Sequence, residues 1–367
     1  FKDTERRIAD LASKNLHFMG MGVSGGEQGA RRGPSIMPGG DLEVFNLVKP
    51  MLEVISAKVK GEPCTAYMGK GAAGNYVKIV HNGIEYAIMQ LISEAYDLLR
   101  KGANLTNEQL YEVFKRWNEG EMNSFLIEIT RDIFQQKDDV TDGFLVDKIL
   151  DKAGAKGTGK WTSQEAMEIG VSIPTIDIAV TSRILSAYKD ERAKASQLYA
   201  KEEVKTPENT ELFIKEVGDA LYLSTLISYA QGLSLLVKAS EEYQFEIPLK
   251  DVVKIWRGGC IIRSVLLEKF YLAYSKYENL SNILLDQEIS EIVKDKIPSL
   301  RKTAAFAVSN GIPSLGIQSA LGYFEAYTTA SLPVNLLQAQ RDYFGAHTYQ
   351  RTDREGVFHT SWQTPNN

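Results

Sequence analysis

The helix predicted to begin at Gly74 carries the side chains best suited to chemistry. Its polar residues at i, i+3, i+4 and i+7 are Lys78, His81, Asn82 and Glu85. In a helix this spacing puts all of them on one face over two turns, about 10 Å along the axis. One base, one acid, an imidazole and an amide on a single face suit acid–base catalysis on a polar substrate. A solvated polar face is the alternative, and the spacing alone supports both interpretations equally.

The opposite face of this helix predicts burial. Its apolar residues recur at the spacing of an amphipathic helix and are Val77, Val80, Ile84, Ile88, Leu91, Ala95 and Leu98. Such a stripe packs against the core of a globular protein. We therefore expect the core to fix the helix and, through it, the geometry of the polar face.

Three glycine-rich segments resemble nucleotide-binding loops. Residues 20–25 and 69–74 both read G-x-G-x-x-G, a pattern that binds a dinucleotide only between a strand and a helix, with an acidic residue ending a second strand. The sequence after Gly25 predicts neither a clean helix start nor a second strand, so we expect neither segment to be the cofactor loop. Residues 154–160 match most of a P-loop, but Trp161 stands where Ser or Thr would hold Mg²⁺. Nucleoside triphosphate binding is therefore not expected.

Two of these segments could still hold smaller anions. Glycines let backbone N–H groups approach an anion closely, and a nearby lysine adds positive charge. Ser24-Gly25-Gly26 is a candidate cradle for a carboxylate or hydroxyl, and Lys156 with Thr158 is a candidate phosphate clamp. Ordinary tight turns explain each segment equally well.

The elements that must position these groups divide the chain into an α/β part and an all-α part. Helical patterns at residues 4–13 and 41–58 alternate with strand-like apolar runs at 15–19 and 64–68. From about Gly71 onward the period is helical throughout, so we place a domain boundary at residue 70. The α/β part has too few strands for a complete doubly wound sheet. The opening at Phe1, without an initiator methionine or a leading strand, leads us to expect that the chain begins inside this domain.

The all-α part, residues 71–330, contains an internal repeat. Leu91-Ile-Ser-Glu-Ala95 recurs as Leu226-Ile-Ser-Tyr-Ala230, and Val113-Phe-Lys-Arg-Trp117 recurs as Val252-Val-Lys-Ile-Trp256. Repeated helical units usually bury their apolar faces on each other, so the shared residues are predicted to be core. Residues 338–367 lack a sustained apolar period, and we expect residues 331–367 to form an extended C-terminal tail.

Composition and charge exclude several classes of protein. The net charge of −5 disfavours nucleic acid as a partner, because phosphate-backbone binding needs a basic face. No apolar run approaches the roughly 20 residues that span a bilayer, and nothing resembles a secretory leader, so we expect a cytoplasmic protein without membrane partners. The two cysteines, Cys64 and Cys260, lie in apolar contexts and are predicted to be buried, reduced thiols. The four histidines show no ligand-like spacing, and we predict no metal site.

Longer strings give the chain a family resemblance. Gly74-x-x-x-Lys78-x-x-x-Asn82 and Ser24-Gly25-Gly26 resemble signatures of the β-hydroxyacid dehydrogenase superfamily. More specific strings resemble the 6-phosphogluconate dehydrogenase family, in the family's order along essentially the whole chain: Ile36-Met-Pro-Gly-Gly40, His81-Asn-Gly-Ile-Glu-Tyr86, Lys156-Gly-Thr-Gly-Lys-Trp-Thr162 and Arg341-Asp-Tyr-Phe-Gly-Ala-His-Thr-Tyr349. The resemblance implies that residues 1–70 are a remnant of a Rossmann-type cofactor domain, followed by a duplicated all-α substrate and dimerisation domain. The family's first βαβ units, with the true dinucleotide fingerprint, have no counterpart here.

The resemblance also implies a reaction. It is the oxidative decarboxylation of 6-phosphogluconate to ribulose 5-phosphate and CO₂ with reduction of NADP, without a metal, in the oxidative pentose phosphate pathway and gluconate use. Lys78 would be the base for the 3-hydroxyl, which requires a pKa well below that of a free lysine. Glu85 would protonate C1 of the enediol, which requires a raised carboxyl pKa. NADP-binding residues would lie mostly outside this sequence.

The same resemblance implies the substrate-binding residues. Those for the carboxylate and hydroxyls would be Ser24, Gly25, Gly26, His81 and Asn82, and those for the phosphate Tyr86, Lys156, Thr158 and Arg183. From sequence alone, Arg183 also fits an ordinary surface arginine. Arg341 and His347 would reach the active site of the partner subunit in a homodimer.

The sequence is also compatible with two other functions. One is a dehydrogenase of the same superfamily that acts on a smaller hydroxyacid such as 3-hydroxyisobutyrate. The presence of Lys156, Arg183 and Arg341 disfavours this function. The other is a non-catalytic fragment that dimerises or binds a sugar phosphate, because the cofactor domain is incomplete.

Overall fold

The computed structural model describes residues 1–362, which form mostly helices. The strands are β1 Gly20–Ser24, β2 Ser35–Gly39, β3 Lys58–Val59 and β4 Glu62–Pro63. The helices are α1 Lys2–Ala12, α2 Gly26–Arg32, α3 Leu42–Ile55, α4 Ala73–Gly102, α5 Asn107–Asn118, α6 Phe125–Gln135, α7 Thr158–Glu168, α8 Pro174–Ser186, α9 Lys189–Leu198, α10 Thr210–Glu242, α11 Leu249–Trp256, α12 Leu266–Lys276, α13 Gln287–Ser309, α14 Leu315–Tyr327 and α15 Val334–Gly345. Chain contacts divide the protein into two compact units, residues 1–321 and 322–367.

The first seventy residues combine helices with short strands, as predicted, but the strands lie elsewhere. Residues 15–19 form no strand, and β1 begins at Gly20 instead. The segment 64–68 contributes a single parallel bridge, from Thr65 to Ile36. The segment after Gly25, for which we expected neither helix nor strand, forms α2 and then β2, which pairs antiparallel with β1. Glycine has low strand and helix propensity, so packing rather than propensity stabilises these elements.

That packing explains the glycines of β1 and of the start of α4. A Cβ on Gly22 would overlap the side chain of Lys78, and one on Gly74 would overlap the carbonyl oxygen of Met37 and lie 2.7 Å from the amide of Gly39. The G-x-G-x-x-G pattern at residues 20–25 therefore lies mostly within a strand and allows it to approach α4. Neither a dinucleotide nor a phosphate is needed to account for it.

We expect Gly74→Ala to destabilise the fold by about 3 kcal/mol, the upper end of what overpacking costs. The added methyl group meets main-chain atoms of β2, which cannot swing aside as a flexible side chain would. Gly322→Ala is the matched control, because Gly322 is also helical and has no atom within 4 Å of the position that an added methyl group would take; it should stabilise by up to about 1 kcal/mol. Urea denaturation measures both. Equal midpoints for the two variants would contradict the packing argument.

The predicted repeat corresponds to a repeat of helices. The first pair of matching strings lies in α4 and α10, which pack together, and the second pair begins in α5 and α11. A single bridge between Ser124 and Ser264 joins the segments that precede α6 and α12. The apolar residues shared by the strings are buried, as predicted. For the shared polar residues the core prediction was too broad, because Ser93 is exposed and Lys115 is only half-buried. Cys64 and Cys260 are buried free thiols, also as predicted.

Helix α10 is the most apolar long helix of the described chain. By length and composition it could cross a membrane, since its most apolar window has a mean hydropathy of 1.4, but 83% of that window is buried inside the protein. A window of this kind is expected in the central helix of a large bundle. We therefore interpret α10 as a core helix.

The second unit begins at Gly322. Its helix α15 occupies residues for which the sequence indicated an extended tail, and an antiparallel bridge between Tyr349 and Phe358 follows it. The helix was missed because its apolar residues are not arranged as a buried stripe. Leu336 and Leu337 are more than half exposed, whereas Asp342 is its one buried residue. The domain boundaries at residues 70 and 330 stay predictions.

Candidate active site

The polar face of α4 is a compact cluster rather than a solvated stripe. Lys78 Nζ lies 3.4 Å from His81 Nδ1, and the same nitrogen of His81 lies 3.0 Å from Asn82 Oδ1 and 3.8 Å from Glu85 Oε2. His81 has no exposed surface, and the other three side chains are half-buried. The structure therefore favours a functional face over the alternative left open by the spacing.

His81 is held from both sides. Its Nε2 lies 3.2 Å from Ser24 Oγ at the end of β1, and its ring meets the indole of Trp256 edge to face at 5.6 Å. Burial, together with the positive charge of Lys78, puts the pKa of His81 well below its ordinary value. The imidazole is therefore neutral, with one ring nitrogen donating and the other accepting a hydrogen bond.

Lys78 has the environment expected of a lysine that acts as a base. Burial lowers its pKa from the ordinary 10.5, and this effect outweighs the attraction of Glu85. The buried ammonium loses more hydration than the neutral amine, so the equilibrium shifts toward the amine. A neutral amine is the form that can accept a proton from a hydroxyl.

Glu85 is shifted in the opposite direction. Burial raises the pKa of its carboxyl from 4.5, although Lys78 and Arg183 both oppose the shift. The protonated acid is thus favoured on the same face as the neutral amine. Paired groups whose environments push both toward their uncharged forms are typical of acid–base sites.

A second polar cluster adjoins Glu85 on the same helix. The guanidinium of Arg183, from α8, stacks over the ring of Tyr86 at 3.4 Å and donates a hydrogen bond of 3.3 Å to the carbonyl of Gly154. Gly159 packs directly against the Tyr86 ring, since a Cβ on Gly159 would come within 2.6 Å of the ring. Arg183 is half-buried in this arrangement. It is therefore not the isolated surface arginine that the sequence also allowed.

The loop before α7 presents groups that suit an anion. Gly157, with φ of 93°, precedes Thr158, the first residue of the helix. The side chain of Lys156 is exposed and has no ion-pair partner among residues 1–362. Free backbone N–H groups at a helix start, a hydroxyl and an unpaired ammonium together form an anion-binding surface. Arg183 lies next to this loop. It donates a hydrogen bond to the carbonyl of Gly154 and stacks on the Tyr86 ring, against which Gly159 packs.

The Ser24-Gly25-Gly26 turn lies against the loop that follows α11. Gly25 and Gly26 have φ of 142° and 58°, and a Cβ on Gly25 would come within 2.7 Å of the carbonyl of Gly259. Both conformations favour glycine. Because Ser24 also contacts His81, the structure joins this turn to the polar face of α4.

Trp256 is the site residue that sequence reasoning missed. It was interpreted only as a core residue of the repeat, yet its indole fixes the ring of His81. The following Cys260 thiol donates to the carbonyl of Trp256 at 3.1 Å, and burial raises the pKa of that thiol to about 12. The repeated Trp was the one available signal, but it gave no hint of a contact with α4.

Arg341 and His347 lie in the second unit. Both are exposed; Arg341 Nη1 lies 3.1 Å from Gln338 Oε1, and the His347 ring meets Phe344 edge to face at 5.7 Å. Among residues 1–362, no three His, Cys, Asp or Glu side chains converge in a way that could hold a metal ion.

Comparison with known families matches almost the whole chain. The sequence model described as the C-terminal domain of 6-phosphogluconate dehydrogenase matches residues 74–362. The model described as the NAD binding domain of 6-phosphogluconate dehydrogenase matches residues 1–69. The two matches meet where the strands give way to helices.

Individual relatives agree. The chain is 54% identical over 363 residues to the NADP(+)-dependent, decarboxylating 6-phosphogluconate dehydrogenase of Bacillus subtilis, covering 99% of this chain and 77% of that protein. It is 50% identical to the Escherichia coli decarboxylating enzyme, with 99% and 77% covered. A structure of Plasmodium falciparum 6-phosphogluconate dehydrogenase, described in apo form and in complex with its cofactor NADP+ and its substrate 6-phosphogluconate, superposes with a TM-score of 0.97 at 49% identity, covering 99% of this chain and 78% of that one. The chain therefore belongs to the 6-phosphogluconate dehydrogenase family.

Proposed function

We propose that the chain performs the NADP-dependent oxidative decarboxylation of 6-phospho-D-gluconate to D-ribulose 5-phosphate and CO₂, a step of the oxidative pentose phosphate pathway. The observation that carries the proposal is the pairing on α4 of a lysine whose pKa is lowered with a glutamate whose pKa is raised. Family membership supports it, as do the decarboxylating activity of the Bacillus subtilis and Escherichia coli relatives and the NADP(+) dependence of the first.

The cofactor enters this proposal only as the hydride acceptor. NADP, when bound, takes the hydride that leaves C3 of the substrate. Within residues 1–362, the pattern at residues 20–25 is used for packing against α4, and the pattern at 69–74 leads directly into α4. The described residues thus provide no complete pyrophosphate cradle, and no residue is assigned to the cofactor here.

Lys78 and Glu85 divide the proton transfers. The neutral amine of Lys78 takes the proton of the 3-hydroxyl as C3 is oxidised to a ketone. The resulting β-keto acid loses CO₂, and its electron pair flows into the C3 carbonyl, whose oxygen takes a proton back from the Lys78 ammonium. The carboxylic acid of Glu85 then protonates C1 of the enediol, while the amine of Lys78, neutral again, removes the proton of the hydroxyl on the neighbouring carbon. This step gives ribulose 5-phosphate. These steps need the protonation states that burial favours.

The residues around this pair are proposed to hold the substrate's sugar-acid end. They are Ser24, Gly25, Gly26, His81 and Asn82. The contact between Ser24 and the neutral His81 supports this assignment, because it orients a hydroxyl and an imidazole beside Lys78. Such groups can donate to a carboxylate or accept from hydroxyls without adding charge that would shift the pKa of Lys78.

The phosphate is proposed to bind where two cations meet the start of α7. The residues are Tyr86, Lys156, Thr158 and Arg183, with Arg341 and His347 supplied by the partner subunit of a homodimer. The stacking of Arg183 on Tyr86 supports this assignment, as does Lys156, which is exposed and forms no ion pair within the described part of the chain. Local cations of this kind let a protein with a net charge of −5 bind a trianionic substrate. The buried, reduced thiols fit the further proposal of a cytoplasmic location.

The proposal is tested by incubating the full-length protein with 6-phosphogluconate and NADP. NADPH, CO₂ and ribulose 5-phosphate should form in equal amounts. Activity on 3-hydroxyisobutyrate but none on 6-phosphogluconate would instead favour a superfamily enzyme with a smaller substrate. Binding of 6-phosphogluconate without turnover would favour a non-catalytic sugar-phosphate-binding role.

We expect Arg183→Met to raise KM for 6-phosphogluconate by about 10- to 100-fold, the loss of one hydrogen bond to a charged group. The effect should disappear with unphosphorylated gluconate as substrate, because only the phosphate meets this guanidinium. Arg131→Met is the matched control, since Arg131 lies on α6 and pairs with its neighbour Asp132. Equal losses on both substrates would contradict a phosphate-binding role for Arg183.

A further inference from the structure

A buried carboxylate organises the second unit. Asp342 has no exposed surface although it lies on an exposed helix. Its Oδ1 accepts from the amide of Thr348 at 2.9 Å and from His359 Nδ1 at 2.8 Å, and its Oδ2 accepts from the amide of Thr360 at 3.0 Å and from Trp362 Nε1 at 2.8 Å. Each oxygen therefore has two donors, which ties α15 to both chain segments that follow it.

The ionised form of Asp342 is the one that this arrangement needs. Burial alone would raise its pKa, but the hydrogen bonds from His359, Thr360, Trp362 and Thr348 outweigh burial and lower the pKa to about 2. A neutral amide of the same shape would turn an N–H group toward two donors. Asn therefore cannot replace Asp here without breaking part of the network.

Gln338 connects Arg341 with the turn that carries His347. These are the two residues proposed to bind the phosphate in the active site of the partner subunit. Gln338 lies one turn before Arg341 on α15 and accepts a hydrogen bond from its guanidinium at 3.1 Å. The amide nitrogen of the same Gln338 donates to the carbonyl of Thr348 at 2.5 Å. One side chain thus connects the guanidinium of Arg341 with the main chain next to His347.

The turn that carries His347 is tightly specified. Ala346 and Thr348, on either side of it, have φ of 50° and 61°, a left-handed conformation that costs free energy for residues other than glycine. A Cβ on Gly345 would come within 2.7 Å of His347 Nε2, so the imidazole lies directly on the main chain. Such a turn persists only where surrounding contacts hold it, and the hydrogen bond from Thr348 to Asp342 is one of them.

We infer that Asp342 and Gln338 are positioning residues that fix Arg341 and His347 for binding the substrate phosphate. The inference rests on the proposed function, in which those two side chains bind phosphate. Neither Asp342 nor Gln338 needs to touch the substrate. Asp342 sets the path of the chain at residues 346–348, and Gln338 restricts the guanidinium of Arg341.

The inference is tested with Gln338→Met and Asp342→Asn in the full-length protein in its native assembly. We expect each to raise KM for 6-phosphogluconate about tenfold while kcat changes less than twofold, and to leave kcat/KM for unphosphorylated gluconate unchanged. Inhibition by ribulose 5-phosphate should weaken by the same factor. Gln338→Glu keeps an acceptor for Arg341, so it should recover part of the loss. Gln340→Met is the matched control, because Gln340 is an exposed glutamine on the same helix.

Arg341→Met separates failure of the inference from failure of the proposed function. If Arg341→Met raises KM but Gln338→Met and Gln340→Met both behave as the unmodified protein, the positioning role is wrong and phosphate binding by Arg341 stands. If Arg341→Met itself leaves KM unchanged, the proposed phosphate site is wrong. Equal loss of activity on 6-phosphogluconate and gluconate in Gln338→Met would also overturn the inference, because it would indicate a general structural role.

Discussion

Replacing Lys78 by alanine should lower kcat for NADPH formation by about 10³- to 10⁴-fold, the upper range for loss of a general base. In the proposed mechanism the amine of Lys78 takes the 3-hydroxyl proton, returns it during decarboxylation and removes a hydroxyl proton from the enediol. Alanine therefore leaves three steps without their proton carrier. The remaining groups proposed to hold the substrate, among them His81 and Asn82, stay in place. Calorimetric titration should therefore still detect binding of 6-phosphogluconate.

The control for this experiment lies on the same helix. Lys101 is at the other end of α4 and forms an exposed ion pair with Asp97, so Lys101→Ala should keep near-normal turnover. A small primary amine added to Lys78→Ala should restore part of the activity, since it can occupy the space left by the side chain and accept the proton. Near-normal turnover by Lys78→Ala would overturn the assignment of the base.

The pH dependence of kcat/KM gives an independent view of the same group. The reactive form has a neutral Lys78, so the rate should rise as pH increases through its pKa, which burial places below 10.5. The reactive form also has a protonated Glu85, so the rate should fall as pH increases through a pKa that burial places above 4.5. The two limbs belong to the coupled pair rather than to either residue alone.

The sequence predicted the cluster of polar side chains proposed for catalysis because that cluster depends on one helix. Helical spacing alone placed Lys78 and Glu85 together, and the apolar stripe beginning at Val77 is buried as expected. Their protonation states could not be obtained in this way, since burial of the polar face depends on β1, α8 and the loop after α11. The contact of His81 with Trp256 joins the two repeats, so the spacing of residues within one helix cannot predict it.

The elements that were predicted wrongly share a physical cause. Strand β1 and helix α2 are rich in glycine, so propensity and periodicity indicate nothing there. Close packing on α4 stabilises β1, whereas the start of α2 lies against the loop that follows α11. Helix α15 has exposed apolar residues and one buried carboxylate, which is the reverse of the pattern that identifies an amphipathic helix. In both cases tertiary contacts decide the structure.

Replacing Glu85 by glutamine should slow overall turnover by about 10²- to 10³-fold, with most of the loss in the final proton transfer. Glutamine has nearly the same shape and can still donate a hydrogen bond, but it cannot release a proton to C1 of the enediol. Oxidation of C3 depends on Lys78 and should be less affected. In a single turnover, NADPH should therefore appear well before ribulose 5-phosphate.

The decisive measurement follows the proton itself. The enzyme with Glu85 should exchange a C1 proton of ribulose 5-phosphate with deuterium from D₂O, which NMR detects, because protonation of the enediol is reversible at the same acid. Glu85→Gln should lose this exchange, and the falling alkaline limb should disappear from its residual pH profile. Asp97→Asn, on the same helix but paired with Lys101 at the surface, should keep both. If Glu85→Gln exchanges the C1 proton at the normal rate, the acid is another group, and the raised pKa of Glu85 reflects burial without a role in proton transfer.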